Sequence, residues 1–426
     1  MSPSVEAASR FTDLRTSEVS RDPYPVFAQI RRDSGVSFSE AHRAWLVTEH
    51  ALVAAGYTAK QLSSDRIRPL MDRAESPGSS TARPVLEMMR DWMVVSDPPS
   101  HTRLRKVAAA AFKRQQIAIM GEQVTARVDS LIDDFIANGE QDIIEHIAHP
   151  LPGSIIAKLL GAPPSDQDRF REWSDELALV AFGAGGEAQD DRHSRALRGL
   201  EEMVDYFRGL MEAARRADDN SIMSVLLQPS PSGELLTDEE VLSMCALLLF
   251  AGHETTINSI ANGVLALLQH PDQMAKLIAD PSLMATAVEE MLRYDGPIKL
   301  VIRYVVDDLE LGGQHIKAGE RVYLVNAAAN RDPAVFADPD VLDITRKPNS
   351  HLAFGRGVHA CIGAQLARLE MRIAVEKIVV RLPGLALATS DVEWQPSLSS
   401  RSMRELRVSH AAPMSDRQPT SGPRSR

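Results

Sequence analysis

The sequence predicts a mainly α fold with small β-sheets (α+β), and three observations lead there. A long apolar segment between Thr237 and Pro271 carries helix signals at both ends. Helical spacing of apolar residues dominates before Pro297, and strand-like runs appear only after it. A last helical pattern follows a glycine-rich stretch around residue 360.

The elements follow in order. Residues 61–100 are punctuated by Pro69, Pro77, Gly78, Pro84, Pro98 and Pro99 and read as irregular. Gly183, Gly185 and Gly186 interrupt a later helical stretch. Thr237 with Glu240 forms a capping box, and Asp238 and Glu239 suit the positive end of a helix. Apolar residues then run to Leu268, and Pro271 stops the helix. At 1.5 Å per residue, roughly 33 residues span about 50 Å, enough to cross the molecule. The segment is nearly all apolar as far as Phe250, so it is read as buried. Leu300 to Val306 reads as a strand, and Leu309 to Arg321 as a hairpin turning at Gly312–Gly313. No internal repeat is present. The expected organisation is one domain over residues 1–411 and a disordered tail over 412–426, which is rich in Pro, Ser and Arg.

Composition narrows the function classes. With 44% hydrophobic and 25% charged residues, the 426-residue chain is an ordinary well-cored protein. A net charge of -11 argues against nucleic-acid binding but leaves room for a basic patch facing an acidic protein. The two cysteines, Cys245 and Cys361, cannot build a disulfide framework or a four-cysteine metal site. Met1 to Thr16 has no apolar core of signal-peptide length, and no run reaches the ~18 apolar residues of a membrane span. The expectation is a soluble, monomeric, cytoplasmic protein without a membrane anchor.

Four segments carry chemistry. In the first, Phe354-Gly355-Arg356-Gly357-Val358-His359-Ala360-Cys361-Ile362-Gly363, Cys361 precedes a helix marked by Leu366, Leu369, Ile373 and Val380. A helix N-terminus stabilises a thiolate, and the glycines let backbone approach a flat, bulky group and point N–H donors at sulfur. A thiolate so held is the ligand a haem iron needs for O–O bond cleavage. Two other readings compete here. One is a plain buried cysteine. The other is a dinucleotide fingerprint in Gly355-x-Gly357-x-x-Ala360, for which the surrounding βαβ unit is missing.

The second segment, Ala251-Gly252-His253-Glu254-Thr255-Thr256, sits inside the long helix. A mid-helix glycine costs about 1 kcal/mol, and a buried acid costs more unless paired or protonated. Ile257 stands where a zinc protease would need its second histidine, so that reading fails. An acid beside an alcohol and a glycine gap fits proton delivery to a ligand lying against the helix. A helix kink, with Thr255 bonded back to a carbonyl, is compatible with it. The third segment is Glu290-x-x-Arg293, an i,i+3 ion pair. In the fourth, Ser100 can cap a helix that puts His101 and Arg105 on one face, able to grip two carboxylates or simply to face water.

Taken in order, the four segments resemble the cytochrome P-450 family over about Asp22 to His410. The Phe-Gly-x-Gly-x-His-x-Cys-x-Gly pattern at 354–363 is the most specific part. The resemblance implies the cytochrome P-450 fold, with a long central helix over haem b (iron protoporphyrin IX). It implies Cys361 as the metal ligand and His101, Arg105, Arg303 and His359 as partners of the haem carboxylates. Phe354, Gly355, Gly363, Ala251 and Gly252 would flank the cofactor. Glu254 and Thr255 would be the catalytic proton-relay pair, and Glu290 and Arg293 a structural ion pair. Many members carry a third, basic partner of that pair at the position of Val341, so Arg331 or Arg346 is expected to substitute unless the pair stands alone. Cys245 matches no motif and is read as core.

By the same resemblance the protein is a monooxygenase placing one oxygen atom of O2 into a medium-sized lipophilic substrate. Leu247, Ala251, Thr255, Leu300 and Val301 would line its pocket, with Met88, Met89 and Phe182 on the covers and Lys299 facing solvent or the substrate. Electrons would come from a separate ferredoxin or flavodoxin-like donor docking on Lys106, Lys113, Arg114, Arg356 and Arg368. A peroxide-driven peroxygenase and a non-catalytic haem-thiolate sensor or carrier are the alternatives. Glu254 and Thr255 speak against the former, because peroxygenases of the family typically lack the pair.

Overall fold

The computed structural model describes residues 12–69, 71, 83–112, 114–181, 189–217 and 221–411. The expectations for Lys113, Phe182, the Gly183–Gly186 cluster and the 412–426 tail lie outside these residues. So does part of the 61–100 stretch.

The longer helices of the first half are α1 (Tyr24–Asp33), α2 (His50–Gly56), α3 (Arg83–Arg90), α4 (Ser100–Ala111), α5 (Arg114–Ala137), α6 (Pro150–Leu160), α7 (Gln167–Ala181) and α8 (Gln189–Ala214). A π-helical turn, Ile144–Ala148, precedes α6. The α3 helix departs from the irregular reading of 61–100. Its Pro84 stands near a helix start, where proline is tolerated. Ser100 does not cap α4 but is its first residue, after Pro99.

The long helix α9 runs Asp238–Gln269, and the reciprocal Thr237–Glu240 capping box is formed. Its 32 residues span about 48 Å. By length and mean hydropathy it would pass for a membrane span, yet 72% of its most apolar window is buried inside the protein. It is the axis of the main core and packs against α6, α7, α8, α11 (Met284–Asp295) and α12 (Ala364–Arg381), with α10 (Pro271–Ala279) following it. Along α12, Leu366, Ile373, Ile378 and Val379 are buried, whereas Val380, assigned to that face by its spacing, is 56% exposed.

The strands build a five-stranded sheet in the order β1-β2-β7-β4-β3, from β1 (Val36–Ser39), β2 (Ala44–Val47), β3 (Leu62–Ser63), β4 (Val301–Val305) and β7 (Arg321–Leu324). The β2–β7 pair is parallel and the others antiparallel. The predicted hairpin is β5 (Leu309–Leu311) with β6 (Gln314–Ile316), and Gly312 and Gly313 take the positive φ its tight turn demands. The helix-rich body beside small sheets agrees with the predicted class.

Candidate active site

The loop before α12 forms one wall. Gly355 and Gly357 adopt φ of 65° and 72°, a conformation that favours glycine. Their faces are covered by Tyr57 and Thr58, which a Cβ at either position would meet at 3.1–3.2 Å. Gly355 therefore shapes the loop against Tyr57. The loop lets the Cys361 N–H donate to the Phe354 carbonyl at 2.9 Å, and the N–H groups of Gly363 and Ala364 point at the sulfur. A Cβ at Gly363 would meet nothing within 4 Å, so this side of the loop is open. Cys361 is exposed at the surface of a recess, although protein crowds it closely. Burial pushes its thiol up; the two N–H groups, Arg105 and Arg368 pull the other way. Phe354 is half-buried beneath the Arg368 guanidinium, 4.3 Å away.

A basic cluster stands beside the cysteine. His101 and His359 lie with ring centroids 4.1 Å apart, and Ser64 Oγ is 2.9 Å from His359 Nε2. Burial and the neighbouring cations push His359 down to about 3, so it is neutral. Both ring nitrogens of His101 are buried without a hydrogen-bond partner among the described residues. Arg105 is close enough to feel Cys361, and Arg303 lies 5.8 Å from the Tyr57 ring. The sequence reading missed a third guanidinium, Arg66, which burial and Arg303 push down to about 10. The carboxylate acting on this group is Asp97, held by Ser63 Oγ at 2.5 Å and Ser64 N–H at 2.9 Å. Among the described residues, three guanidiniums against one carboxylate leave two positive charges uncompensated. A dicarboxylate would neutralise them and satisfy His101.

The long helix carries the second group of expected site residues. Ala251 is exposed although α9 is buried on both sides of it, so it faces a recess. Leu247, one turn earlier, is buried in the core, and Thr255 Oγ1 donates to the Ala251 carbonyl at 2.8 Å. Glu254 Oε2 is buried and unpartnered, and burial with the charge of Asp175 raises its carboxyl to about 7. Gly252 is half-buried next to Ala251. A Cβ there would meet Ile156 Cδ1 at 2.8 Å, so the missing side chain admits α6.

Two further expectations on the pocket change. Leu300 is 1% exposed and joins Leu14, Val19 and Phe27 in a separate core cluster, whereas Val301 next to it is half-buried. Lys299 does not face solvent; its Nζ donates to the Ser397 carbonyl at 2.5 Å, and burial and Arg401 push it down to about 8. Met88 is partly buried and Met89 buried against the main core, as is Cys245.

Glu290 and Arg293 form a fully buried bidentate pair at 2.7 and 2.8 Å. Its third partner is Arg346, whose Nε lies 3.1 Å from both Glu290 oxygens. Val341 contributes a carbonyl to Arg293 and Arg346, and Arg331 pairs with Asp340 instead. The expected basic dock also thins. Arg368 is bound bidentately by Glu289, Lys106 by Glu234, and Arg356 stays exposed. The side chain of Arg114 is not described.

Comparison with known proteins gives the family. The chain is 39% identical over 396 residues to the cytochrome P-450 monooxygenase PikC of Streptomyces venezuelae, covering 91% of each chain. It is 37% identical to the vitamin D(3) 25-hydroxylase of Pseudonocardia autotrophica, over 88% of this chain and 90% of that one. The chain belongs to the cytochrome P-450 family. The family profile matches residues 187–383. Among solved structures, the P-450 BioI chain in complex with hexadec-9Z-enoic acid ligated acyl carrier protein superposes with a TM-score of 0.84 at 33% identity, over 92% and 99% of the two chains.

Membership makes the protein a haem-thiolate monooxygenase with the cytochrome P-450 fold and haem b as cofactor. The residues present fit that group: an exposed cysteine, an exposed alanine in an apolar helix, and two positive charges unmatched among the described residues for two carboxylates. Bacterial members take electrons from redox partners and bind lipophilic substrates.

Proposed function

We propose that the protein uses O2 to hydroxylate or epoxidise a medium-sized lipophilic substrate, with Cys361 as the haem ligand. The observation that carries this reading is Ala251. It is a small, exposed side chain in the buried stretch of α9, within one turn of Glu254 and Thr255. A recess with an apolar helix wall and one acid–alcohol step suits an apolar substrate and directed proton supply.

Haem bound there supplies the activation of dioxygen. One oxygen atom enters the substrate and the other leaves as water, which consumes two electrons and two protons from outside. Arg66, Arg105, Arg303 and the His101–His359 pair hold the cofactor carboxylates, and the N–H groups of Gly363 and Ala364 hold negative charge on sulfur. Glu254, raised to about 7, can give and regain a proton near neutral pH, and Thr255, next to it on α9, supplies the hydroxyl of the pair. Ala251 and Val301 are the lining we assign to the substrate, with Leu247 left in the core. The relative named as a vitamin D(3) 25-hydroxylase supports a lipophilic substrate class. Electrons come from a separate ferredoxin or flavodoxin-like protein, received near exposed Arg356, in the cytoplasm.

The intact Glu254–Thr255 pair favours O2 over peroxide as oxidant. The test is Thr255→Ala with a ligand found by its shift of the haem spectrum. Product per electron should fall and peroxide should be released; unchanged coupling would remove the relay from the account.

A further inference from the structure

A second set of titratable groups lies where α6, α7 and α9 meet. Asp175 on α7 has 53% of its side chain exposed, and its Oδ1 is 3.5 Å from His149 Nε2. His149, 14% exposed at the start of α6, stands perpendicular to His253 with ring centroids 4.8 Å apart. His253 is 1% exposed and its Nε2 lies 3.3 Å from the His149 carbonyl, which makes Nε2 the protonated nitrogen. Exposure thus falls stepwise from water to the interior, ending beside Glu254. Three buried polar atoms here lack a partner among the described residues: His149 Nδ1, His253 Nδ1 and Glu254 Oε2. Such atoms are rare, and where they cluster they mark a place for ordered water. The π-helical turn at Ile144–Ala148 sets this position, closing with the His149 N–H on the Ile144 carbonyl at 2.8 Å. Such turns concentrate at functional sites.

We propose that the proton passed on at Glu254 is taken up at the surface by Asp175 and His149 and crosses between α7 and α9 to reach it. This rests on the relay reading of Glu254. His149 accepts a proton on Nε2 and releases one from Nδ1, so one proton enters, one leaves, and no redox change occurs. His253 holds the file in place rather than carrying charge, because burial and His149 push it down to about 4. The charged groups facing this corner are Asp175 and Arg171 from α7 and Glu145 from the π turn. Arg171 is tied to Glu145 at 2.9 Å.

The test is the hydrogen–deuterium exchange of the Glu254 carboxyl in the haem-loaded protein. It is read by infrared difference spectroscopy as the downshift of the one carboxyl band missing in Glu254→Gln. Asp175→Asn and His149→Phe should each slow exchange at least tenfold, while Arg171→Gln, a charge change off the route, should leave it near wild type. Asp175 is a surface group, so its variant carries the test even if His149→Phe fails to fold. Wild-type exchange in Asp175→Asn, or equal slowing in Arg171→Gln, would overturn the route. If Thr255→Ala uncouples turnover in the same protein, the relay survives that failure; if it does not, relay and route fall together.

Discussion

Replacing Glu254 by Gln should stabilise the protein by an amount that depends on pH. Glutamine copies the protonated acid in shape and cannot ionise. In the folded protein burial, then the charge of Asp175, raise the Glu254 carboxyl from 4.5 to about 7, while Asn258 opposes them. An unfolded chain therefore loses this proton at a lower pH than the folded one. The sign follows. Below pH 4.5 both states hold the proton and Glu254 costs nothing; between 4.5 and about 7 the unfolded state gains by ionising first; above 7 the full cost remains. At about 1.4 kcal/mol per pH unit the gap is worth about 3 kcal/mol. Guanidinium unfolding of both haem-loaded proteins, followed by circular dichroism from pH 5 to pH 8, measures it. The advantage of Glu254→Gln should grow from a fraction of a kcal/mol to about 3 kcal/mol. An advantage constant with pH, or one that shrinks, would refute the claim that the Glu254 carboxyl is buried with Oε2 unpartnered among the described residues.

Three further outcomes follow from the packing. Arg346→Met should lower stability by about 3 kcal/mol, because it strips one cation from a carboxylate that is 0% exposed. Arg346→Lys should recover only part, lacking the planar fork; a silent Arg346→Met in thermal melts would contradict the three-membered cluster. Gly252→Val should lower the melting temperature through its clash with Ile156, at a cost of about 1–3 kcal/mol, and Ile156→Ala should relieve it. If Gly252→Val instead blocks ligand binding at unchanged stability, Gly252 borders the recess. Gly355→Ala should cost about 1–2 kcal/mol from its φ of 65° alone, seen as a lower midpoint in the same melts.

What the sequence made legible was local. Cys361, His359, Glu254, Thr255, Glu290 and Arg293 announce themselves because partners in each group are neighbours along the chain, and the capping box at Thr237 is a four-residue signal. Arg66 and Arg346 were harder because their partners lie far away in sequence: Arg66 meets Arg303, and Arg346 meets Glu290. Glycines are ambiguous for a related reason. A glycine shows that something comes close, not what comes close: at Gly252 it is Ile156 and at Gly355 it is Tyr57. Leu300 and Val301 are adjacent where β4 begins, and alternation sends adjacent side chains to opposite faces. Lone positive charges read as a dock were paired in three dimensions, as Arg368 with Glu289 shows.

The central claim is that the sulfur of residue 361 binds iron, and the carbon monoxide complex of the reduced protein tests it most directly. Thiolate ligation should give the strongly red-shifted Soret band, and Cys361→Ser should lose it while Cys245→Ser keeps it. A wild-type protein without that band, or a Cys361→Ser protein that retains it, would contradict the assignment.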